Sequence, residues 1–294
     1  MITYPNVKVN LGLSVLRRRP DGYHDLETLF VPYFGIHDTL EITPLGQGGE
    51  NRPAAQDPSH LRWAPPSYVA EGGTGFHPPV PAEKVSITIT RKEGVDWEPM
   101  SDLTVKAYEL LDADFNLPPV KIRLEKTSPV GAGLGGGSAD AAFALRMLSE
   151  MFSLDLDDET LAGYAARLGS DCAFFVYNRP MIGTGRGEIL EPYDLDLSGY
   201  ELRVTVPQGI AVKTAEAYRG ITPRALMATQ PAPLMEALAR PVEQWKDCLV
   251  NDFETTVFAV HPALADEKRR LYEDGAVYAS MSGSGSALFG LFAR

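Results

Sequence analysis

The chain has 294 residues, of which 44% are apolar and 22% are charged, and its formal net charge is -12 at pH 7. These values are typical of a globular protein long enough for two domains. The negative charge argues against a nucleic-acid backbone or an anionic membrane as the main partner.

Two further features bear on the compartment. No apolar run approaches the ~20 residues of a membrane-spanning helix, and no signal-peptide core precedes Lys8. Cys172 and Cys248 lie far apart, without companions at metal-binding spacing. This pattern predicts two buried free thiols, and we expect a cytoplasmic protein.

The first predicted strand covers residues 7–13, where apolar and polar residues alternate. Lys8 and Asn10 fall on the face opposite the valines and leucines, which by itself suits the solvent side of an edge strand. A turn with Pro-Asp-Gly chemistry follows. Tyr23 and His24 come directly after this turn, either as core residues or as a stacking platform for a planar ligand.

Strands are also predicted at residues 38–43 and 85–90 by their alternating patterns. Between them, residues 45–82 are rich in glycine, proline and polar residues, which predicts a long surface excursion. A helix is expected over residues 103–112, with Ser101 as its cap.

The most informative stretch is residues 129–140, because five of the seven residues from Gly131 to Gly137 are glycine. A predicted strand at 120–124 precedes it and a predicted helix at 141–152 follows, with Ser138 at the cap position. Bare backbone amides beside a helix start favour a phosphate-binding turn. The alternative is a flexible surface turn, and the stretch lacks the Gly-Lys-Ser/Thr of a P-loop.

A further helix is predicted to begin at residues 157–160 and to end near Gly169. Asp171 then precedes an apolar segment at 172–176, where it is either a helix cap or a functional acid. The glycine-rich residues 183–188 predict a turn that could join the two halves of the chain.

The second half predicts additional helices and strands: a strand at 200–206, a helix starting near Thr214, a helix after 251–254 that Pro262 interrupts, and a hairpin with strands at 277–281 and 287–292. The turn of this hairpin, residues 282–286, consists of serine and glycine. Small residues there permit the close approach of another backbone or of a phosphate.

Three segments resemble the signatures of the GHMP small-molecule kinases: residues 8–13, 129–140 and 281–286. Other segments resemble the branch of that family whose substrate carries a cytidine diphosphate group, namely residues 21–30, 168–172, 185–188 and 251–254. The resemblance covers nearly the whole chain except about residues 45–82. Each motif is modestly specific, but their common order is highly specific.

The resemblance implies a two-domain α+β fold. Residues 1–182 would form an ATP-binding domain with a left-handed βαβ crossover and a loop insertion at 45–82, and residues 183–294 a ferredoxin-like substrate domain. It also implies transfer of the ATP γ-phosphoryl to the tertiary 2-hydroxyl of a cytidylyl-methylerythritol, in isoprenoid precursor synthesis. ATP and Mg²⁺ would be the cofactors, and the protein would be a monomer or homodimer.

The resemblance further implies roles for individual residues. Asp171 matches the general base, and Lys8 would lie beside it, keep its carboxylate charged and stabilise developing negative charge. For the ATP phosphates, the matching positions are Pro129, Gly131, Ala132, Gly133, Leu134, Gly135, Gly136, Gly137 and Ser138. Ser138 would also lie near Mg²⁺. Asp102 matches a position at the adenine site, where the family usually has Asn. For the substrate, they are Asn10, Tyr23, His24, Thr214, Tyr218 and Gly283, with Tyr23 and Tyr218 on the two faces of the cytosine.

Two alternatives of different kinds remain open from the sequence. The first is another GHMP kinase, acting on homoserine or mevalonate, although neither substrate needs the stacking platform that Tyr23 and His24 suggest. The second is a non-catalytic ligand sensor with the kinase fold. The presence of both Lys8 and Asp171 argues against a sensor, because ligand binding alone does not require that pair.

Overall fold

The structure is a computed structural model that describes residues 1–45, 84–227 and 231–294. Apart from Leu45, the predicted surface excursion at 45–82 lies outside the described residues. The described strands are β1 (Ile2–Thr3), β2 (Asn6–Arg18), β3 (His24–His37), β4 (Thr39–Pro44), β5 (Val85–Arg91), β6 (Val120–Lys126), β7 (Met181–Thr184), β8 (Ile189–Pro192), β9 (Tyr200–Thr205), β10 (Tyr278–Met281) and β11 (Leu288–Ala293).

The described α-helices are α1 (Leu103–Phe115), α2 (Gly136–Met151), α3 (Asp158–Leu168), α4 (Cys172–Tyr177), α5 (Thr214–Tyr218), α6 (Leu234–Leu238), α7 (Trp245–Cys248), α8 (Phe253–Val260) and α9 (Pro262–Glu273). Together with the strands they form an α+β protein, as predicted. The elements divide into two compact units, and each unit is built from separate stretches of the chain.

The first unit consists of residues Met1–Asn6, Gly35–Ser128 and Gly136–Tyr177. Its sheet has the strand order β1-β4-β6-β5, in which β5 and β6 are parallel and the other neighbours are antiparallel. Helix α1 connects β5 to β6 and therefore makes a βαβ unit. Along β6 every second residue is buried, and this period continues through the last residue, Lys126.

The second unit consists of residues Val7–Phe34, Pro129–Gly135 and Asn178–Arg294. One of its sheets has the order β2-β3-β7-β8, and the other has the order β10-β11-β9. An apolar core joins the predicted terminal hairpin, β10 and β11, to helices α8 and α9. It includes Leu13, Phe253, Val257, Leu264 and Met281.

Most predicted elements are confirmed, and the differences concern helix starts and one turn. Asp102, not Ser101, caps α1, because its carboxylate accepts a hydrogen bond from the Thr104 amide. The cap position assigned to Ser138 is also wrong, since α2 begins two residues earlier at Gly136 and Ser138 lies in its first turn. The turn at 183–188 does not join the two halves of the chain, because it connects β7 to β8 within one sheet.

Candidate active site

The glycine loop, residues 129–135, connects β6 to α2. Gly131, Gly133 and Gly135 have φ angles of 72°, 77° and 74°, a backbone conformation that side chains disfavour. Ala132 and Leu134 alternate with these glycines and are buried. The loop therefore has a buried side and an exposed side, and it is not a wholly exposed surface turn.

The carbonyl groups of the glycine loop are held by hydrogen bonds within the second unit. Leu134 O accepts from the Lys8 amide at 2.9 Å, and Ala132 O accepts from the Ala287 amide at 3.0 Å. Gly133 approaches the terminal hairpin so closely that an added Cβ would lie 2.2 Å from Ser282 O. Among the described residues, the amides of Gly131, Gly133 and Gly135 donate no hydrogen bond. The loop thus fixes its carbonyls and leaves these donors for an anion.

Lys8 and Asn10 lie inside the second unit, each only 2% exposed, so their interpretation as the solvent face of an edge strand is wrong. Lys8 Nζ donates to Asn10 Oδ1 at 2.6 Å and to Gly133 O at 3.0 Å. Asn10 Nδ2 donates to Thr28 Oγ1 at 3.0 Å. The structure therefore brings a cation and an amide, both predicted as site residues, to the glycine loop.

The turn of the terminal hairpin carries Gly283, another predicted site residue. Asn251 Nδ2 donates to Met281 O at 2.7 Å and to Gly283 O at 2.8 Å, which fixes the path of the turn. The hydroxyl of Ser284 lies 3.1 Å from that of Thr214, at the start of α5. Thr214 and the Gly283 turn are therefore neighbours, as their common assignment to the substrate requires.

The aromatic patch of the second unit comprises Tyr23, His24, Tyr218 and Arg186. The rings of His24 and Tyr218 are stacked, with centroids 4.6 Å apart and an angle of 16° between their planes. Tyr23 is 54% exposed, and the Arg186 guanidinium lies 5.1 Å from the centroid of its ring. Burial, with a smaller contribution from Arg18, holds the pKa of His24 below its ordinary value. The cytosine sandwich between Tyr23 and Tyr218 stays a prediction.

The remaining predicted residues belong to the first unit. Asp171 directly precedes α4 and is partly exposed. Burial raises the pKa of the Cys172 thiol to about 12, against the opposing effect of the neighbouring Ser138 hydroxyl. Asp102 accepts from the Thr104 amide at 2.9 Å and from Trp97 Nε1 at 3.1 Å. The pairing of Lys8 with Asp171 stays a prediction.

Sequence reasoning missed a buried ion cluster in the first unit, formed by Asp38, Lys126 and Asp140. Lys126 Nζ lies 2.5 Å from Asp38 Oδ2 and 2.6 Å from Asp140 Oδ2. Burial raises the pKa of Asp140 well above its ordinary value, against the opposing effect of Lys126. The inward period of β6, which extends to Lys126, is the one sequence signal for this cluster, and nothing in the sequence connects Asp38 to it.

Metal-ligand clusters and membrane-spanning helices are both absent from residues 1–45, 84–227 and 231–294. Within these ranges, no three His, Cys, Asp or Glu side chains are arranged to hold a metal ion. None of the helices there is both long enough and apolar enough to cross a membrane. Cys172 and Cys248 are buried and free, as predicted.

Comparisons with known proteins agree with this geometry. The model of the GHMP kinases N terminal domain matches residues 102–179, and that of the GHMP kinases C terminal domain matches residues 233–294. The 4-diphosphocytidyl-2-C-methyl-D-erythritol kinase of Bacteroides fragilis is 44% identical over 99% of this chain and 92% of its own length.

Solved structures extend the comparison to the fold. A crystal structure of 4-(cytidine 5'-diphospho)-2C-methyl-D-erythritol kinase is 31% identical, has a TM-score of 0.71, and matches 99% of this chain and 90% of its own. A homoserine kinase from Cytophaga hutchinsonii shares the fold. It is 17% identical and has a TM-score of 0.60, and the match covers 99% of this chain and 86% of its own. The chain belongs to the GHMP kinases and, among them, to the family of 4-diphosphocytidyl-2-C-methyl-D-erythritol kinases.

Proposed function

We propose that this protein transfers the γ-phosphoryl group of ATP to the 2-hydroxyl of 4-diphosphocytidyl-2-C-methyl-D-erythritol, a step of the non-mevalonate route to isoprenoid precursors. The observation that carries the proposal is the likeness, over nearly the full chain, to the Bacteroides fragilis kinase of that name. The buried Lys8 beside a folded glycine loop supports it, because phosphoryl transfer depends on positioned cations and amides.

The glycine loop would bind the ATP phosphates. Its available amides at Gly131, Gly133 and Gly135, together with the positive end of the α2 dipole, suit a polyanion despite the net charge of -12. The assigned positions are the nine from Pro129 and Gly131 to Ser138, and Asp102 is assigned to the adenine site. Ser138 supplies a hydroxyl, a hard oxygen ligand of the kind Mg²⁺ accepts beside phosphate oxygens. When bound, Mg²⁺ would neutralise charge on those phosphates.

Asp171 and Lys8 would perform the chemistry. The Asp171 carboxylate would accept the proton of the tertiary 2-hydroxyl while that oxygen bonds to the γ-phosphorus. The bond from the γ-phosphorus to the bridging oxygen would break at the same time, and ADP would leave. Lys8 Nζ, held by Asn10 and Gly133, would stabilise the negative charge that develops on the transferred group.

The aromatic patch would recognise the cytidine end of the substrate. Tyr23 would stack on the cytosine, with Tyr218 on its opposite face and His24 at its edge. Because His24 is stacked on Tyr218 here, we propose that cytosine binding displaces the His24 ring from that face. Asn10, Thr214 and Gly283 would contact the methylerythritol diphosphate portion.

Three finer assignments belong to the same proposal. Residues 1–182 would act as the ATP-binding domain and 183–294 as the substrate domain. We place the protein in the cytoplasm, where the buried thiols of Cys172 and Cys248 stay reduced. Its partner is the small-molecule substrate.

The direct test of the reaction is an ATP-consumption assay with the cytidylyl substrate, run with and without Mg²⁺. We expect substrate-dependent release of ADP that requires Mg²⁺. Homoserine and mevalonate serve as competing acceptors, and a preference for either would overturn the substrate assignment. A protein that binds ATP but consumes none with any of the three acceptors would instead be a ligand sensor.

The test of the base is the substitution Asp171→Ala. We expect kcat to fall at least ~100-fold with little change in ATP affinity, because the carboxylate acts on the acceptor hydroxyl. Asp157→Ala is the matched control, since Asp157 caps α3 of the same unit. It should lower stability by about 1 kcal/mol and leave kcat unchanged. Near-normal turnover in Asp171→Ala would remove Asp171 as the base.

A further inference from the structure

The ion cluster of Asp38, Lys126 and Asp140 has no role in the proposed reaction, yet it is almost completely buried. The side chains of Asp38, Lys126 and Asp140 are 0%, 3% and 2% exposed. Oδ1 of Asp140 is buried and accepts no hydrogen bond from any described residue. Burying three charged groups in this way is costly, and apolar replacements of similar volume are often at least as stable. Stability alone therefore does not account for the cluster.

The cluster links the two elements that flank the glycine loop, namely the strand before it and the helix after it. Lys126 ends β6, which leads into the loop, and Asp140 lies in α2, which leads out of it. The single ammonium group between Asp38 and Asp140 thus connects the incoming strand to the outgoing helix.

Asp38 extends this connection to the residue that precedes the loop. Its Oδ1 accepts from the amides of Thr127 and Ser128, both at 2.7 Å, and its Oδ2 accepts from Ser128 Oγ at 2.6 Å. Ser128 in turn lies against the start of α2, where a Cβ added to Gly136 would be 2.3 Å from Ser128 Oγ. Residues 128 and 136, at which the loop leaves and rejoins the first unit, are therefore held at a defined separation.

We propose that Lys126 and Asp140 are positioning residues that set the spacing of the two ends of the glycine loop, and thereby the affinity of its amides for the ATP phosphates. This rests on the proposed function of the loop. A small displacement of groups that bind a reacting ligand is costly, whereas the cytidine end of the substrate binds through other residues. Loss of the bridge should therefore weaken ATP binding and spare the second substrate.

Two substitutions of Asp140 distinguish the effect of its hydrogen bond with Lys126 from the effect of its negative charge. Asp140→Asn keeps an oxygen acceptor for Lys126 and removes the charge, whereas Asp140→Leu removes the acceptor and leaves Lys126 paired with Asp38. We expect the dissociation constant of ATP, measured by calorimetry with Mg²⁺ present, to rise about tenfold in Asp140→Leu and to stay within about twofold in Asp140→Asn. The KM for the cytidylyl substrate should not change in either variant.

The double variant Lys126→Met/Asp140→Leu removes both bridging side chains and should show the same loss of ATP affinity. Its melting temperature should fall, because the buried carboxylate of Asp38 loses its cation. Lys84→Met is the control, because it removes another lysine–aspartate pair of the same unit, between Lys84 and Asp112 at 2.7 Å. It should leave ATP binding unchanged. A folded double variant with wild-type ATP affinity would overturn the proposal. A wild-type protein that binds no ATP would instead refute the proposed function.

Discussion

The hairpin of β2 and β3 has two ends with different physical character. At its inner end, Lys8, Asn10 and Thr28 are buried and joined by hydrogen bonds of 2.6 and 3.0 Å. At its outer end, Tyr23 is exposed and His24 is partly exposed, and both are held by contacts with rings or a guanidinium. One pair of strands thus presents a buried, hydrogen-bonded polar centre and an accessible aromatic surface.

This difference suggests that the inner end of the hairpin serves the chemical step and that the outer end serves substrate recognition. Groups that stabilise a transition state must be held within narrow limits, which buried and mutually hydrogen-bonded side chains achieve. Groups that receive a large planar ligand must be accessible, and aromatic rings can bind it without a fixed hydrogen-bond pattern. Substitutions at the inner end should therefore affect turnover, and those at the outer end should affect substrate affinity.

The largest effect is expected for Lys8→Met at the inner end. The variant loses the cation beside the glycine loop, so kcat should fall about 10²–10³-fold. It also leaves Asn10 Oδ1 and Gly133 O without this buried donor, so the free energy of unfolding should fall by about 1–3 kcal/mol. Steady-state kinetics and urea denaturation measure the two effects.

Lys246→Met is the control for that substitution, since Lys246 is an exposed lysine of the same unit. It should change neither turnover nor stability. If Lys8→Met kept kcat within a few-fold of wild type, the assignment of chemistry to the inner end would be wrong.

A smaller effect, on binding alone, is expected for Tyr23→Ala at the outer end. Loss of the stacking ring should weaken binding of the cytidylyl substrate by about 1–3 kcal/mol while kcat and the KM for ATP stay unchanged. Tyr4→Ala is the matched control, because Tyr4 is similarly exposed, at 59%, and contacts His37 edge-on in the first unit. Equal KM values for the two variants would contradict a recognition role for Tyr23.

The smallest effect concerns the pH dependence that His24 contributes. Its folded-state pKa lies below the ordinary value of about 6.5, mainly because of burial, so protonation favours the unfolded chain. Its stabilising contribution is present above that value and is lost as the pH falls through the folded-state pKa. The free energy of unfolding should therefore decrease more steeply on acidification in the wild type than in His24→Gln. If the wild type and His24→Gln lost stability equally on acidification, the folded-state pKa of His24 would not be lowered, and this prediction would be wrong.

The sequence was sufficient for features that depend on local patterns. The glycine stretch between a strand and a helix, the terminal hairpin and the strand around Lys8 all depend on neighbouring residues, and the structure contains each of them. The family signatures suggest roles for residues such as Asp171, which composition and periodicity alone leave as either a helix cap or a functional acid.

Other features depend on residues that are distant in the chain. Asp38 and Lys126 meet only because β4 and β6 are paired, and the stacking of His24 on Tyr218 requires the folded second unit. The burial of Lys8 likewise depends on the glycine loop and the terminal hairpin, which a strand pattern cannot reveal. The cap of α1 was misassigned because two adjacent residues, Ser101 and Asp102, are both good caps, and only Asp102 reaches the Thr104 amide.

The most direct test of the central claim is to follow the complete reaction by phosphorus NMR. With ATP, Mg²⁺ and the cytidylyl substrate, we expect one new phosphomonoester signal, formed in step with ADP, while the diphosphate signals of the substrate persist. Release of inorganic phosphate without a phosphomonoester, or phosphorylation of homoserine or mevalonate in preference to the cytidylyl substrate, would contradict the account.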